Sequence, residues 1–161
     1  MKNSNLVVEQ EDVYQGYRSV LASMTSEFGF QNLEIKDHAF NTDDFIAYIR
    51  KLRIRHTTRP LALFMDRLSV HTNDRSVKEM QRLNIKPVLN VAYSPEFNPI
   101  ESVFSRVKFL FCNARLNDLV NRRGFNFERT IKMAFEKITL GHIRKCIKKS
   151  HGLLVHAAFD N

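Results

Sequence analysis

Asp66 closes a short apolar run, Leu61-Ala62-Leu63-Phe64-Met65, and Glu101 stands two residues after Pro99, where an apolar-striped helical stretch begins. Thirty-four residues separate the two carboxylates. In an α/β sheet the C-terminal end of a buried strand and the N-terminus of a nearby helix open onto one crevice, so side chains placed this way can converge. Carboxylate oxygens suit Mg²⁺, which takes one or two protein carboxylates and keeps its other positions for water and phosphate oxygens. Two such ions about 3.5–4 Å apart would stabilise the attacking and leaving oxygens of an in-line phosphoryl displacement. The same two positions also have a plain structural explanation, a strand-end Asp and a helix-start Glu that favours the helix dipole. His71 has two readings as well, as a group beside the crevice and as a local hydrogen-bonding residue after a strand.

These residues need a strand, helix, strand, loop, helix order to position them, and the sequence supplies one. After a polar tail, residues 1–12, the run Tyr17 to Thr25 is strand-compatible. Ser26-Glu27-Phe28-Gly29 turns the chain into a second strand, Phe30 to Lys36, giving an antiparallel hairpin. Asn41 or Thr42 caps a helix with Asp43 and Asp44 in its first turn and Phe45, Ile49 and Leu52 on one face, ending near Ile54. Pro60 resets the chain, and Leu61 to Met65 reads as a strand covered on both faces. Thr72 or Asn73 caps the next helix, with Val77, Met80 and Leu83 inward, and Pro87 to Ala92 reads as a further buried strand parallel to the previous one. Beyond a loop with two prolines, Ile100, Val103, Phe104, Val107 and Phe111 stripe a long helix, with Glu101 one residue off the stripe. Asn126 starts another helix, with Ile131, Ala134, Phe135 and Ile138 inward. Thr139 starts the last, with Ile143 and Ile147 on its core side, stopping near Gly152. The fold class is α/β, a mixed sheet flanked by helices, in a single domain over residues 1–161 with closing helices over 126–152.

Met65-Asp66-Arg67-Leu68-Ser69-Val70-His71 followed by Tyr93-Ser94-Pro95-Glu96-Phe97-Asn98-Pro99-Ile100-Glu101 resembles the catalytic signature of Tc/mariner-type DDE transposases. That family usually shows Asp-Asn-x-x-x-His on a strand and Tyr-Ser-Pro-Asp-x-Asn-Pro-Ile-Glu leading into a helix. The gap between Asp66 and Glu101 is typical of one large branch, and Phe104, where many relatives have Trp, is similar to transposases of ciliate mobile elements. The resemblance runs back through the hairpin and forward through Ser105 and Lys108, and so covers nearly the whole chain. It implies a ribonuclease-H-like fold, with Asp66 as the second metal carboxylate, Glu101 as the third, His71 beside the crevice and the Tyr93 to Pro99 loop positioning Glu101. Mg²⁺ is the metal implied, and DNA is the partner by ancestry.

Two departures weaken catalysis. The family's first aspartate lies on the first strand of the sheet, upstream of the hairpin, and this chain starts too late to hold it. Asp12 is the one nearby substitute, preceded by no apolar strand except Leu6-Val7-Val8. Arg67 stands where the family commonly has Asn, and a guanidinium there opposes metal binding and could pair with Asp66 instead. A two-ion site without its first carboxylate loses charge and geometry together.

The rest of the composition narrows the setting. A chain of 161 residues, 43% hydrophobic and 26% charged, is a soluble globular protein with one core. No signal peptide, transit peptide or membrane span is visible, Glu9, Glu11 and Asp12 coming early in the N-terminal segment. Cys112 and Cys146 lack metal-ligand spacing and read as reduced, half-buried thiols, which points to an intracellular compartment: the nucleus by ancestry, or an organelle such as the mitochondrion. Residues 1–101 hold 13 basic and 13 acidic side chains, whereas residues 102–161 hold 12 and 4, so the whole excess of +8 lies after Glu101. Arg122, Arg123, Lys145, Lys148 and Lys149 are the candidate surface for an anionic partner, nucleic acid or an acidic protein; the alternative is that they are solvated helix faces. Three readings follow. The favoured one is a domesticated, transposase-derived protein without catalysis or cofactor, an interaction or structural subunit of a protein assembly. The second is a Mg²⁺-dependent DDE transposase fragment that cuts and joins DNA, and the third a nucleic-acid-binding module that does not cut.

Overall fold

The computed structural model describes residues 18–159, with side chains through residue 153. The expected tail, Leu6-Val7-Val8, Asp12 and Tyr17 fall outside them. Strands β1 (Ser19–Thr25) and β2 (Gly29–Lys36) form the expected antiparallel hairpin, with a bulge between Ser23 and Met24. Gly29 takes φ 74° as the chain leaves the turn, a left-handed conformation that glycine adopts without strain. Helix α1 (Thr42–Arg55) opens on a reciprocal cap in which the Asn41 side chain accepts from the Asp44 amide and the Asp44 carboxylate accepts from the Asn41 amide.

Strand β3 (Leu61–Met65) and strand β4 (Ile85–Leu89) pair in parallel, joined through the single turn α2 (Ser69–Thr72) and helix α3 (Asp74–Arg82), whose N-cap is Asn73. A short 3₁₀ turn (Pro95–Phe97) leads into the long helix α4 (Pro99–Val120), followed by α5 (Phe127–Glu136) and α6 (Leu140–Phe159). The result is the expected α/β, ribonuclease-H-like arrangement lacking its first strand among the described residues. Its sheet is present in two halves, β1–β2 and β3–β4, which do not hydrogen-bond to each other.

The direction of β3 relative to the hairpin follows from side-chain ties at the two ends of α1. At its start, Lys36 at the end of β2 pairs with Asp44, Asn73 donates to Thr42 Oγ1 (3.1 Å) and Arg75 pairs with Asp43 (2.5 Å). At its other end, Arg55 donates to the Gln31 carbonyl and Arg59 pairs with Glu27 in the hairpin turn (2.7 Å). Strand β3 therefore leaves from the hairpin turn and finishes, at Asp66, beside the end where β1 begins. It runs antiparallel to β1.

Two apolar clusters hold the chain together. Ala22 packs with Val103, Val107, Ile131, Phe135 and Ile143 beneath α4–α6, while Leu21 faces the other way onto Phe45, Tyr48, Ile49, Met65 and Met80. Alternate residues of β1 thus serve alternate cores, as the two-residue repeat of a strand requires. The helical stripes match expectation, with Ile131, Ala134, Phe135, Ile138 and Ile143 all buried.

Four expectations need correction. Strand β3 is not covered on both faces: Ala62 and Phe64 are exposed, because α1 and α3 pack on one side and no described element covers the other. Strand β4 starts two residues earlier than read, ends at Leu89 and is largely exposed, an edge position that tolerates Pro87 without its N–H. Helix α6 continues past Gly152, since an interior glycine costs a helix only about 1 kcal/mol and nothing there turns the chain left-handed. The cysteines differ from each other: Cys112 is exposed, and burial of Cys146 raises its thiol pKa.

Candidate active-site crevice

Asp66 sits one residue beyond β3, where the Asn90 amide donates to the Met65 carbonyl (2.8 Å) and carries the parallel pairing to the strand ends. Its carboxylate is engaged by His71: Nδ1 lies 2.7 Å from Oδ1, and the ring packs on Phe45 with centroids 4.7 Å apart. His71 is held because α2 turns the chain back immediately after Asp66, with the Leu68 carbonyl accepting from the His71 and Thr72 amides. His71 is a local hydrogen-bond partner of Asp66 and also part of the crevice wall. Arg67 is not paired with Asp66, contrary to the sequence reading. Its Nε donates to the Asn90 carbonyl (3.0 Å), because successive side chains at a strand end point to opposite sides.

The signature loop is built on Asn90, which is buried and whose side chain donates to the Ser94 carbonyl (2.8 Å) and accepts from the Val91 amide (2.9 Å). Tyr93 takes φ 58° and projects its ring fully into solvent. Asn98, also buried, caps α4 by accepting from the Ile100 amide (3.4 Å), and Pro99 occupies the first turn, where its missing N–H costs nothing. Glu101 follows in that turn, exposed. Ser150 of α6 donates to the Glu96 carbonyl (3.4 Å) and ties the loop to the C-terminal helix. Asn90 and Ser150 were not singled out in the sequence. The one signal for Asn90 is a polar side chain closing an apolar strand, and for Ser150 a small polar residue on the core side of a helix.

Asp66, His71 and Glu101 line one cavity of about 820 Å³. Arg122, Arg123, Lys145, Lys148 and Lys149 do not line it; all five are exposed, the first two in the turn after α4 and the lysines on the outer side of α6. Asp66 and Glu101 thus border a common cavity, and the basic candidates lie outside its lining. Among the described residues no three His, Cys, Asp or Glu side chains group so as to hold a metal ion. Asp66 and Glu101 remain a pair, and one Asp66 oxygen already faces His71. The described donor set therefore does not fit the two-ion centre that the signature implies, which needs a further carboxylate.

Comparison with known proteins adds three findings. The family described as DDE superfamily endonuclease matches residues 7–120, a span that includes the hairpin, both carboxylates and all of α4. A chain of the simian T-cell lymphotropic virus intasome, solved in complex with PP2A regulatory subunit B56 gamma, superposes with a TM-score of 0.56 over 73% of this chain. Identity to it is 15%, and this chain spans 40% of its length, so the likeness is one of fold. Rat Toll-like receptor 4 is 32% identical over 72 residues, a stretch that makes up 45% of this chain and 8% of that receptor, so the likeness is confined to a small part of the receptor.

Proposed function

The chain belongs to the DDE superfamily endonuclease family, and from that premise we propose that it is a transposase-derived protein that no longer cuts DNA and acts through its surface, as an interaction or structural subunit of a larger assembly. The observation that carries the proposal is the state of the crevice, where two carboxylates stand without a third among the described residues and Asp66 is engaged by His71. Phosphoryl transfer by this family's chemistry rests on metal positioning and charge, so a pair of carboxylates has little to work with. The exposed basic residues after Glu101 give the surface its sign, suited to an acidic protein face or to nucleic acid, the partner by ancestry. No helix among the described residues is long and apolar enough to cross a membrane. On this reading the compartment is intracellular and set by the assembly.

One observation favours a second reading. Asp66 and Glu101 still line a common cavity, and a carboxylate brought from outside the described residues would complete a Mg²⁺-dependent endonuclease. Incubating the purified chain with supercoiled and end-labelled DNA in Mg²⁺ or Mn²⁺ separates the two. The proposal expects neither nicking nor strand transfer; reproducible cleavage that disappears in Glu101→Gln would overturn it.

A further inference from the structure

Helix α4 is apolar on two opposite sides, and one of them is left uncovered by the described residues. On the covered side, Val103 and Val107 are buried in the cluster formed with Ala22 of β1 and with α5 and α6. On the other, Phe109, Cys112, Leu116 and Val120 recur every three or four residues, which aligns them along one face for three turns, about 16 Å of helix. Phe109, Leu116 and Val120 are each more than half exposed, and Cys112 is exposed as well. Single apolar side chains on a surface need no explanation, whereas an aligned row of them marks a docking face.

The charges around the row define what fits it. At 3.6 residues per turn, Arg106 falls on one flank and Lys108 and Arg115 on the other. The Arg106 guanidinium lies over the Phe109 ring, 5.1 Å from its centroid, and Lys108 is exposed. No acidic side chain occurs between Ser102 and Asn117, and Arg122 and Arg123 stand exposed just past the end of the helix. We propose that this face docks an acidic amphipathic helix of another protein, whose apolar stripe lies along the row and whose flanking carboxylates meet Arg106 and Lys108. A second copy fits less well, because it sets the same basic flanks against each other, and three turns of helix fall short of the roughly 2,000 Å² or more that permanent homodimers bury. Nucleic acid fits less well too, since phosphates gain nothing from a row of phenyl and aliphatic groups. An interface of this size stays below about 1,200 Å², in the range of transient encounters, and its charged rim acts mainly on association rate. The inference rests on the reading of the chain as an interaction subunit, yet the two fail separately: DNA cleavage overturns that reading, whereas a failed titration of the α4 face leaves it standing.

The probe is a fluorescein-labelled synthetic peptide of about 18 residues, with leucine at positions a and d of a heptad repeat and glutamate at e and g. It is titrated with the full 161-residue chain and followed by anisotropy, beside a control peptide of the same composition in scrambled order. Saturable binding that weakens with added salt is expected for the patterned peptide, and binding about tenfold weaker or less for the scrambled one. Phe109→Ser with Leu116→Ser should weaken binding by about tenfold or more, as loss of the apolar anchors of an interface does. Arg106→Glu with Lys108→Glu should weaken it by about fivefold and flatten the salt dependence. Both variants should melt close to the parent, because all four side chains are exposed. Cys112 is exposed within the row while Cys146 is buried, so bound peptide should slow alkylation of Cys112. Equal affinity for the two peptides, or unchanged binding in the serine variant, overturns the proposal. A concentration-dependent dimer of the free chain that the serine variant abolishes also overturns it, in favour of a second copy. Duplex DNA that protects Cys112 where the peptide does not overturns it in favour of nucleic acid.

Discussion

The crevice at the end of β3 and the outer side of α6 are built in opposite ways. In the crevice, Asp66 is tied to His71, Arg67 to the Asn90 carbonyl, Asn90 to Ser94 and Val91, and Asn98 to the first turn of α4. On α6, Lys145, Lys148 and Lys149 stand in solvent while Ile143, Cys146 and Ser150 on the opposite side are buried. The signature residues are retained in positions where they build the loop and cap the helix, so their presence does not require a reaction. The lysines build nothing, and a charge cluster without a packing role is the kind of feature that binding explains.

Removing Asn90 is the strongest way to sharpen that contrast. Asn90→Ala removes the two hydrogen bonds that its buried side chain makes to the half-buried Ser94 carbonyl and the Val91 amide, a loss of about 1–3 kcal/mol of folding stability at the net worth of about 0.5–1.5 kcal/mol per hydrogen bond. Chemical denaturation checks it; an unchanged midpoint would mean that the loop does not rely on Asn90 and that the motif is kept for another reason.

A smaller effect comes from acid. The hydrogen bonds from Arg82, and then Arg50, hold the Glu79 carboxyl down at about 2, below its ordinary 4.5. A carboxylate depressed on folding stabilises the fold above its unfolded value and loses that contribution as pH falls through the folded one, so the window runs from about pH 4.5 down to about 2. Both arginines are more than half exposed, which keeps the contribution within the ~1 kcal/mol range of surface pairs. Glu79→Gln should therefore melt earlier than the parent at neutral pH, and the difference should shrink as pH is lowered through that window. A difference that stays constant with pH would assign the effect to packing. Asp44, lowered chiefly by Lys36, keeps its own acid dependence in both proteins and cancels in the comparison.

How far these features can be read from the sequence depends on whether the deciding contact is local. Asn41, Asn73 and Asn126 are each followed within three residues by the amide they cap, and the helix starts fall where they were expected. The placement of Asp66 and Glu101 in one cavity follows from element order alone. By contrast, an apolar run such as Leu61 to Met65 shows that a strand is hydrophobic but not how many of its faces find a partner, and Phe64 is exposed for want of one among the described residues. Arg67 went the same way. Its sequence neighbour was Asp66, whereas its partner is the Asn90 carbonyl, 23 residues away and adjacent only once β3 and β4 pair.

The central claim is that the working part of the molecule is its surface and not its crevice, and a paired pull-down with matched thermal melts tests it most directly. One variant carries Asp66→Asn with Glu101→Gln; the other carries Lys145→Glu, Lys148→Glu and Lys149→Glu. Both should melt close to the parent, since Glu101 and the three lysines are exposed and Asp66 has a single side-chain ion-pair partner, His71. The account predicts that the carboxylate variant retains its native partners, and that the lysine variant loses them with a shallower salt dependence. Loss of partners in the carboxylate variant, with retention in the lysine variant, would contradict it.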